Sequence, residues 1–231
     1  MISLLQVNRF VNRTGIVFFL MMLPLSVRAA TLRGQVVIES RWGEGPRFVF
    51  LERLDGPSPL ESSTFQMVQR GKFFDPPILA VPLGSQVDFP NDDLICHTVL
   101  SLSATGPFDL GLYRAGDSRS QVFRQAGMCR VFCNIYPHMT AVILVLPTSL
   151  FVELDAEDRF QIDAVSGRYR VTAWSERSNP STVEIDVGSG DQEVRGLNLD
   201  ESRFVALPHQ NKHGQAYGSR AYSPLGLGGR P

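Results

Sequence analysis

The sequence predicts an all-β chain made of a β-sandwich followed by a second, smaller β-sandwich. Three observations predict it. Helical periodicity is nearly absent after the N-terminal segment, short β-rich runs follow one another, and Gly, Pro, Asn and Asp gather between them as turns.

Taken in order, residues 1–29 stand apart. Arg9 and Arg13 form a basic start, Gly15 to Val27 is an apolar run, and small residues end the segment at Ala29. This pattern predicts a secretory signal peptide cleaved after Ala29. The apolar run is short of the ~20 residues that a membrane span needs, although an uncleaved anchor is the alternative. The mature chain is therefore expected to be periplasmic or secreted, with no membrane span after cleavage.

Residues 30–147 are expected to form the first sandwich. Its strands are read from "LRGQVVI", "RFVFLERL", "PILAVPL", "SQVDF", "HTVLSLS", "QVFRQ", "CRVFCNI" and "AVILVLP". "PNDD" and "LGS" supply turn residues between them. Residues 148–200 are expected to form the second module, from "FVELD", "RFQID", "GRYRVTAW", "STVEIDV" and "QEVRGLNL". In "GRYRVTAW", Tyr169, Val171 and Ala173 alternate with Arg168, Arg170 and Thr172, so one face is buried and the other wet. A module this small has little core of its own and is expected to pack on the first. Residues 201–231, rich in Gly, Ser and Pro, read as a disordered tail dispensable for folding.

Charge excludes one class of partner. The chain has 22 Lys+Arg against 23 Asp+Glu, and cleavage removes Arg9, Arg13 and Arg28 but no acid. The mature protein is mildly acidic and has no basic stripe, so nucleic acid is not an expected partner. No phosphate-cradling Gly loop, Ser/His/Asp arrangement or acid/base pair is visible, and an enzyme is not expected. "DAED" with Glu153 lacks the ligand spacing and central glycine of a calcium loop and reads as a turn.

The chemistry gathers in "MCRVFCNIYPHMTA", residues 128–141. A mononuclear blue-copper site takes two imidazoles and a thiolate in a trigonal plane, with a weak axial thioether. The sequence offers His97 early, after "FPNDDLIC", and Cys133, His138 and Met139 late. The other histidines, His209 and His213, lie in the tail and read as solvated. The three cysteines, Cys96, Cys129 and Cys133, leave at least one thiol unpaired in an oxidising compartment.

"ILAVPLGSQVDFPNDDLICHTVLSLS", "FDLGLY" and "CNIYPHMTAVILV" together resemble the plastocyanin- and amicyanin-like cupredoxins. The resemblance is to the periplasmic methylamine utilisation protein-like group, and "DRFQIDAVSGRYRVTAW" resembles the carboxypeptidase-regulatory-like β-sandwich that follows the cupredoxin there. It covers roughly residues 32–186, most densely 74–147, and implies a Greek-key sandwich that binds copper. In that family the loop reads Cys-x-x-His-x-x-Met. The resemblance places the early imidazole on His97, the thiolate on Cys133 and the axial thioether on Met139, whereas the loop histidine falls on Tyr136.

Three readings of that departure stand. His138 supplies the missing imidazole, with the wider Cys-to-His spacing of azurin-like loops; Tyr136 itself ligates or covers the metal; or Tyr136 fills the old ligand position and the site is empty. Whichever holds, His97 and Cys133 must lie within ~10 Å of each other for any copper site to exist. Cys129 shares a strand face with Cys133 but sits ~13 Å away along an extended strand, so it reads as a core thiol. Cys96 precedes His97 and faces the other way, and a Cys96–Cys129 disulfide is the alternative pairing. The implied function is electron transfer or copper handling, with a periplasmic redox or copper-donor protein as partner. The competing reading is a metal-free periplasmic binding or assembly module that keeps the fold.

Overall fold

The computed structural model describes residues 29–41, 43, 45–205, 211, 213 and 215. The segment expected to be a signal peptide, apart from Ala29, lies outside the described residues, as does His209. Among the described residues there is no helix long and apolar enough to cross a membrane.

The described chain is all β. The first strands are β1 (Ala30–Gln35), β2 (Val37–Glu39), β3 (Phe48–Arg53), β4 (Thr64–Gln66), β5 (Val68–Arg70), β6 (Phe73–Asp75), β7 (Ile78–Pro82) and β8 (Gln86–Pro90). There follow β9 (His97–Ser101), β10 (Phe108–Tyr113), β11 (Ser118–Val122), β12 (Gly127–Phe132) and β13 (Thr140–Leu146). The last are β14 (Phe151–Glu153), β15 (Arg159–Ala164), β16 (Gly167–Trp174), β17 (Ser181–Val187), β18 (Gln192–Val194) and β19 (Asn198–Asp200).

One sandwich consists of the sheet β10-β9-β12-β13-β7 facing the sheet β11-β8-β4. Strand alternation builds its core: Val87 and Phe89 of β8 point inward, against Val99, Val131, Ile143 and Val145 of the larger sheet. The second unit sets the sheet β14-β3-β16-β17 against β15-β1-β18. Tyr169, Val171 and Ala173 are buried between its sheets, as the alternation in "GRYRVTAW" predicts.

The expected boundary between modules is corrected here. β1 to β3 fall within residues 30–147, but β1 pairs with β15 and β18, β2 with β19, and β3 with β14 and β16. The reason is core size. The C-terminal strands alone supply too few apolar side chains, and Ala30, Leu32, Val49 and Leu51 complete the cluster. The tail expectation is corrected at its first residue. Glu201 is fully buried; its carboxylate accepts 2.9 Å bonds from Arg47 Nε and Nη2 and a 2.8 Å bond from Ser175.

A further apolar layer joins the two units. In "TAVILVL" of β13 nearly every residue is buried, because each face of the strand meets a different partner. Ala141, Ile143 and Val145 enter the first core, while Val142, Leu144 and Leu146 meet Phe48, Phe50 and Trp174 of the second unit. Arg130 Nη2 and Glu176 Oε1 add an ion pair across this junction at 2.6 Å. Trp174 is 8% exposed at the junction. Trp174→Ala is expected to cost about 3–5 kcal/mol, the range for truncating a buried Trp. Denaturant unfolding checks this: a loss below about 1 kcal/mol would mean the two units carry their stability separately.

Candidate metal centre

The site lies at one end of the first sandwich, where β9 begins and the loop between β12 and β13 runs. His97 opens β9 and pairs with Tyr113 of β10. Cys133 follows the last residue of β12, and Thr140 opens β13. The loop is tightly closed. Cys133 N donates to Met139 O at 3.0 Å, Met139 N to Tyr136 O at 2.9 Å, and Thr140 N to His138 O at 3.1 Å. Thr98 anchors it from β9: its hydroxyl accepts from Asn134 N at 2.8 Å and donates to Cys133 Sγ at 3.6 Å.

His97 and Cys133 are both completely buried. His97 Nδ1 lies 3.9 Å from Cys133 Sγ, well inside the bound that a shared metal requires. Two atoms bound to one ion at ~2.0 and ~2.3 Å in a trigonal arrangement would stand about this far apart. His97 Nε2, on the other side of the ring, lies 2.8 Å from Asp93 Oδ2. Met139 is also fully buried, in the same apolar cluster as Cys133 and Tyr136.

Tyr136 and His138 occupy different surroundings. The half-buried Tyr136 ring stands edge-on to His97 with centroids 5.2 Å apart, and Lys72 Nζ lies 5.2 Å from its centroid. His138 is exposed at the rim, 5.8 Å from the Phe73 ring and 6.3 Å from Tyr136. Position 136 is thus the loop position that packs on His97, and position 138 turns towards solvent.

Sequence reasoning missed Asp93, which it read only as part of a turn. Its Oδ1 accepts from Gly71 N at 2.6 Å, and its Oδ2 accepts from Lys72 N at 2.9 Å as well as meeting His97. Burial pushes the Asp93 carboxyl up, but the bonds from Lys72 N, His97 and Gly71 N outweigh it. They hold the group below the usual carboxylate range. The Gly71-Lys72 turn carries positive φ at both residues, 62° each, which suits a tight two-residue hairpin between β5 and β6.

All three cysteines are free. Cys129 is buried and its thiol donates to Ser101 Oγ at 3.2 Å; burial pushes that thiol up, which keeps it protonated. Cys96 is exposed, so the alternative Cys96–Cys129 pairing is not formed.

Among the described residues no three His, Cys, Asp or Glu side chains converge as a metal-holding group. The groups that do gather are one imidazole and one thiol, with a thioether buried in the same cluster. This soft set fits copper(I), whereas a trigonal copper(II) plane lacks its second imidazole.

No protein-family model and no curated protein matches the chain. Solved structures do. A purple cupredoxin from Nitrosopumilus maritimus aligns at 24% identity and TM-score 0.33, over 35% of this chain and 98% of that one. A reduced amicyanin variant aligns at 17% identity and TM-score 0.35, over 42% of this chain and 99% of its own. A copper-containing nitrite reductase from Thermus scotoductus SA-01 aligns at 24% identity and TM-score 0.34, over 39% of this chain and 23% of that chain.

Proposed function

We propose that this is an exported copper-handling protein whose first sandwich holds one copper ion, preferentially copper(I), through His97, Cys133 and Met139. The observation that carries the reading is the pair of fully buried donors, His97 Nδ1 and Cys133 Sγ, 3.9 Å apart. When bound, copper would supply a single-electron couple or a transferable cargo. The chain supplies the rest. Cys133 offers the soft thiolate, Thr98 steadies it through its hydroxyl, and the closed loop buries Met139 beside it. Burial excludes water and competing hard ligands. Thiolate, thioether and a single imidazole favour holding copper(I) over cycling it, so copper handling ranks above electron transfer. The partner on this reading is a periplasmic copper-donor or redox protein, approaching the rim formed by Phe73, Tyr136 and His138.

One observation favours a second reading. The Tyr136 ring packs edge-on against His97 where the family places a histidine, and a sandwich sealed in this way would serve as a metal-free binding or assembly module.

Copper(I) titration of the purified protein against a competing chelator separates the two. One equivalent should bind. Cys133→Ser and His97→Ala should each lose more affinity than the ~10–100-fold typical of outer-shell substitutions, while His138→Ala should lose none. Absence of stoichiometric binding by the unaltered protein would hand the case to the metal-free module.

A further inference from the structure

We propose that Asp93 is a positioning residue: together with the β5–β6 turn it holds His97 as the tautomer protonated at Nε2, leaving the Nδ1 lone pair open towards Cys133. The value of that arrangement for copper rests on the function proposed above, but the tautomer itself does not.

Three donors meet on the Asp93 carboxylate. Asp93 receives two backbone N–H groups, from Gly71 at 2.6 Å and Lys72 at 2.9 Å. A peptide nitrogen can only donate, so both carboxylate oxygens are already acting as acceptors. The third partner, His97 Nε2 at 2.8 Å, then completes a set of three donors on one carboxylate. The proton between them belongs to the ring, on Nε2. In a neutral imidazole the other nitrogen is then a lone pair. That nitrogen is Nδ1, and it faces Cys133 Sγ at 3.9 Å.

The carboxylate is itself fixed from several sides. Asp93 N donates to Asn91 Oδ1 at 3.1 Å, and Asn91, fully buried, donates from Nδ2 to Ile95 O at 2.8 Å. Asp92 N donates to Gln69 O at 2.9 Å, and Arg70 Nη2 reaches Asp92 at 2.9 Å. The loop before β9 and the β5–β6 hairpin are thus tied together, with the Asp93 carboxylate at the knot. The same turn carries Lys72, whose ammonium lies over Tyr136. One short hairpin therefore orients His97 through Asp93 and braces the side chain packed against it.

An asparagine at position 93 keeps the shape but not the donor count. Its amide offers one acceptor oxygen and one NH2, so the NH2 meets a backbone N–H in either orientation, and at the Oδ2 position it faces His97 Nε2 as well. The imidazole is the group that can adapt, by moving its proton to Nδ1.

The test is long-range 1H–15N NMR of the imidazole nitrogens in the metal-free protein. In the unaltered chain His97 should show a pyridine-type Nδ1 and a protonated Nε2; the reverse pattern would overturn the proposal with no variant needed. In Asp93→Asn the protonated Nε2 population should fall below half, with the amide spectrum still that of a folded protein. A retained Nε2–H tautomer in Asp93→Asn would equally overturn it. Copper(I) titration then separates the two ideas. The expected tautomer together with a ~10–100-fold affinity loss in Asp93→Asn supports both. The expected tautomer in a chain that binds no copper upholds Asp93 and removes only the copper reading.

Discussion

Glu201→Ala is expected to destabilise the protein by about 3–5 kcal/mol, because it leaves the Arg47 guanidinium buried and unpaired. Arg47 is 4% exposed and Glu201 fully buried, and their paired atoms lie 2.9 Å apart. Arg47 keeps bonds to Gly45 O at 3.0 Å and Gly43 O at 3.4 Å, but carbonyl groups do not neutralise its charge. For a chain of this size the loss corresponds to roughly 6–20 °C in melting temperature. Shortening the chain to end at Asp200 should produce a similar loss, opposite to what a dispensable tail beginning at residue 201 would give. The double variant Arg47→Met with Glu201→Leu should recover much of it, since replacing both charges removes the stranded ion. Thermal and urea unfolding of the three variants decide the matter. A loss under about 1 kcal/mol in Glu201→Ala would show that water reaches Arg47 and solvates it.

That ion pair also shows where the sequence stopped being legible. Glu201 opens a Gly- and Ser-rich stretch, and its partner lies 154 residues earlier, so no local pattern marks it as buried. The same separation hid the module boundary. Each strand of "LRGQVVI" and "RFVFLERL" was readable as a short β-rich run, but not that it pairs with the C-terminal strands, because composition is alike on both sides of Thr148. β4 to β6 went unread because three-residue strands are too short for a period to show, and "QEVRGLNL" divides into two strands around Gly196 at φ 86°. In contrast, β13 was plain from its unbroken apolar run. At the candidate site, the residues that gather could be picked out from residue type and spacing: His97 at the start of a strand, Cys133 and Met139 at the two ends of one loop. Asp93 could not, since its role depends on a hairpin turn that supplies two further donors to its carboxylate. Residue chemistry was local and legible; what orients it comes from contacts remote in sequence.

On the copper reading proposed above, Tyr136→His is expected to let the site hold copper(II), with the intense colour of a thiolate–copper(II) centre. Position 136 already packs on His97 at 5.2 Å, inside the cluster that contains Cys133 and Met139. An imidazole there would complete the trigonal plane of two nitrogens and one thiolate without moving the other donors. The copper(II) affinity should rise by more than the ~10–100-fold that outer-shell changes produce. Lys72 works against this gain. Its ammonium, 5.2 Å from the Tyr136 ring centroid, loses a cation–π partner and comes to face a metal-bound imidazole instead. Lys72→Gln added to Tyr136→His should therefore strengthen copper(II) binding further, whereas Lys72→Gln alone should leave it weak. Visible absorption and copper(II) titration of the single and double variants read all of this. If the unaltered protein is itself strongly coloured with copper(II) and His138→Ala bleaches it, then His138 swings in from the rim and the loop binds in its longer register. If Tyr136→His takes up no copper(II), the mouth of the sandwich has closed by more than one side chain, and the metal-free reading gains the ground that the copper reading loses.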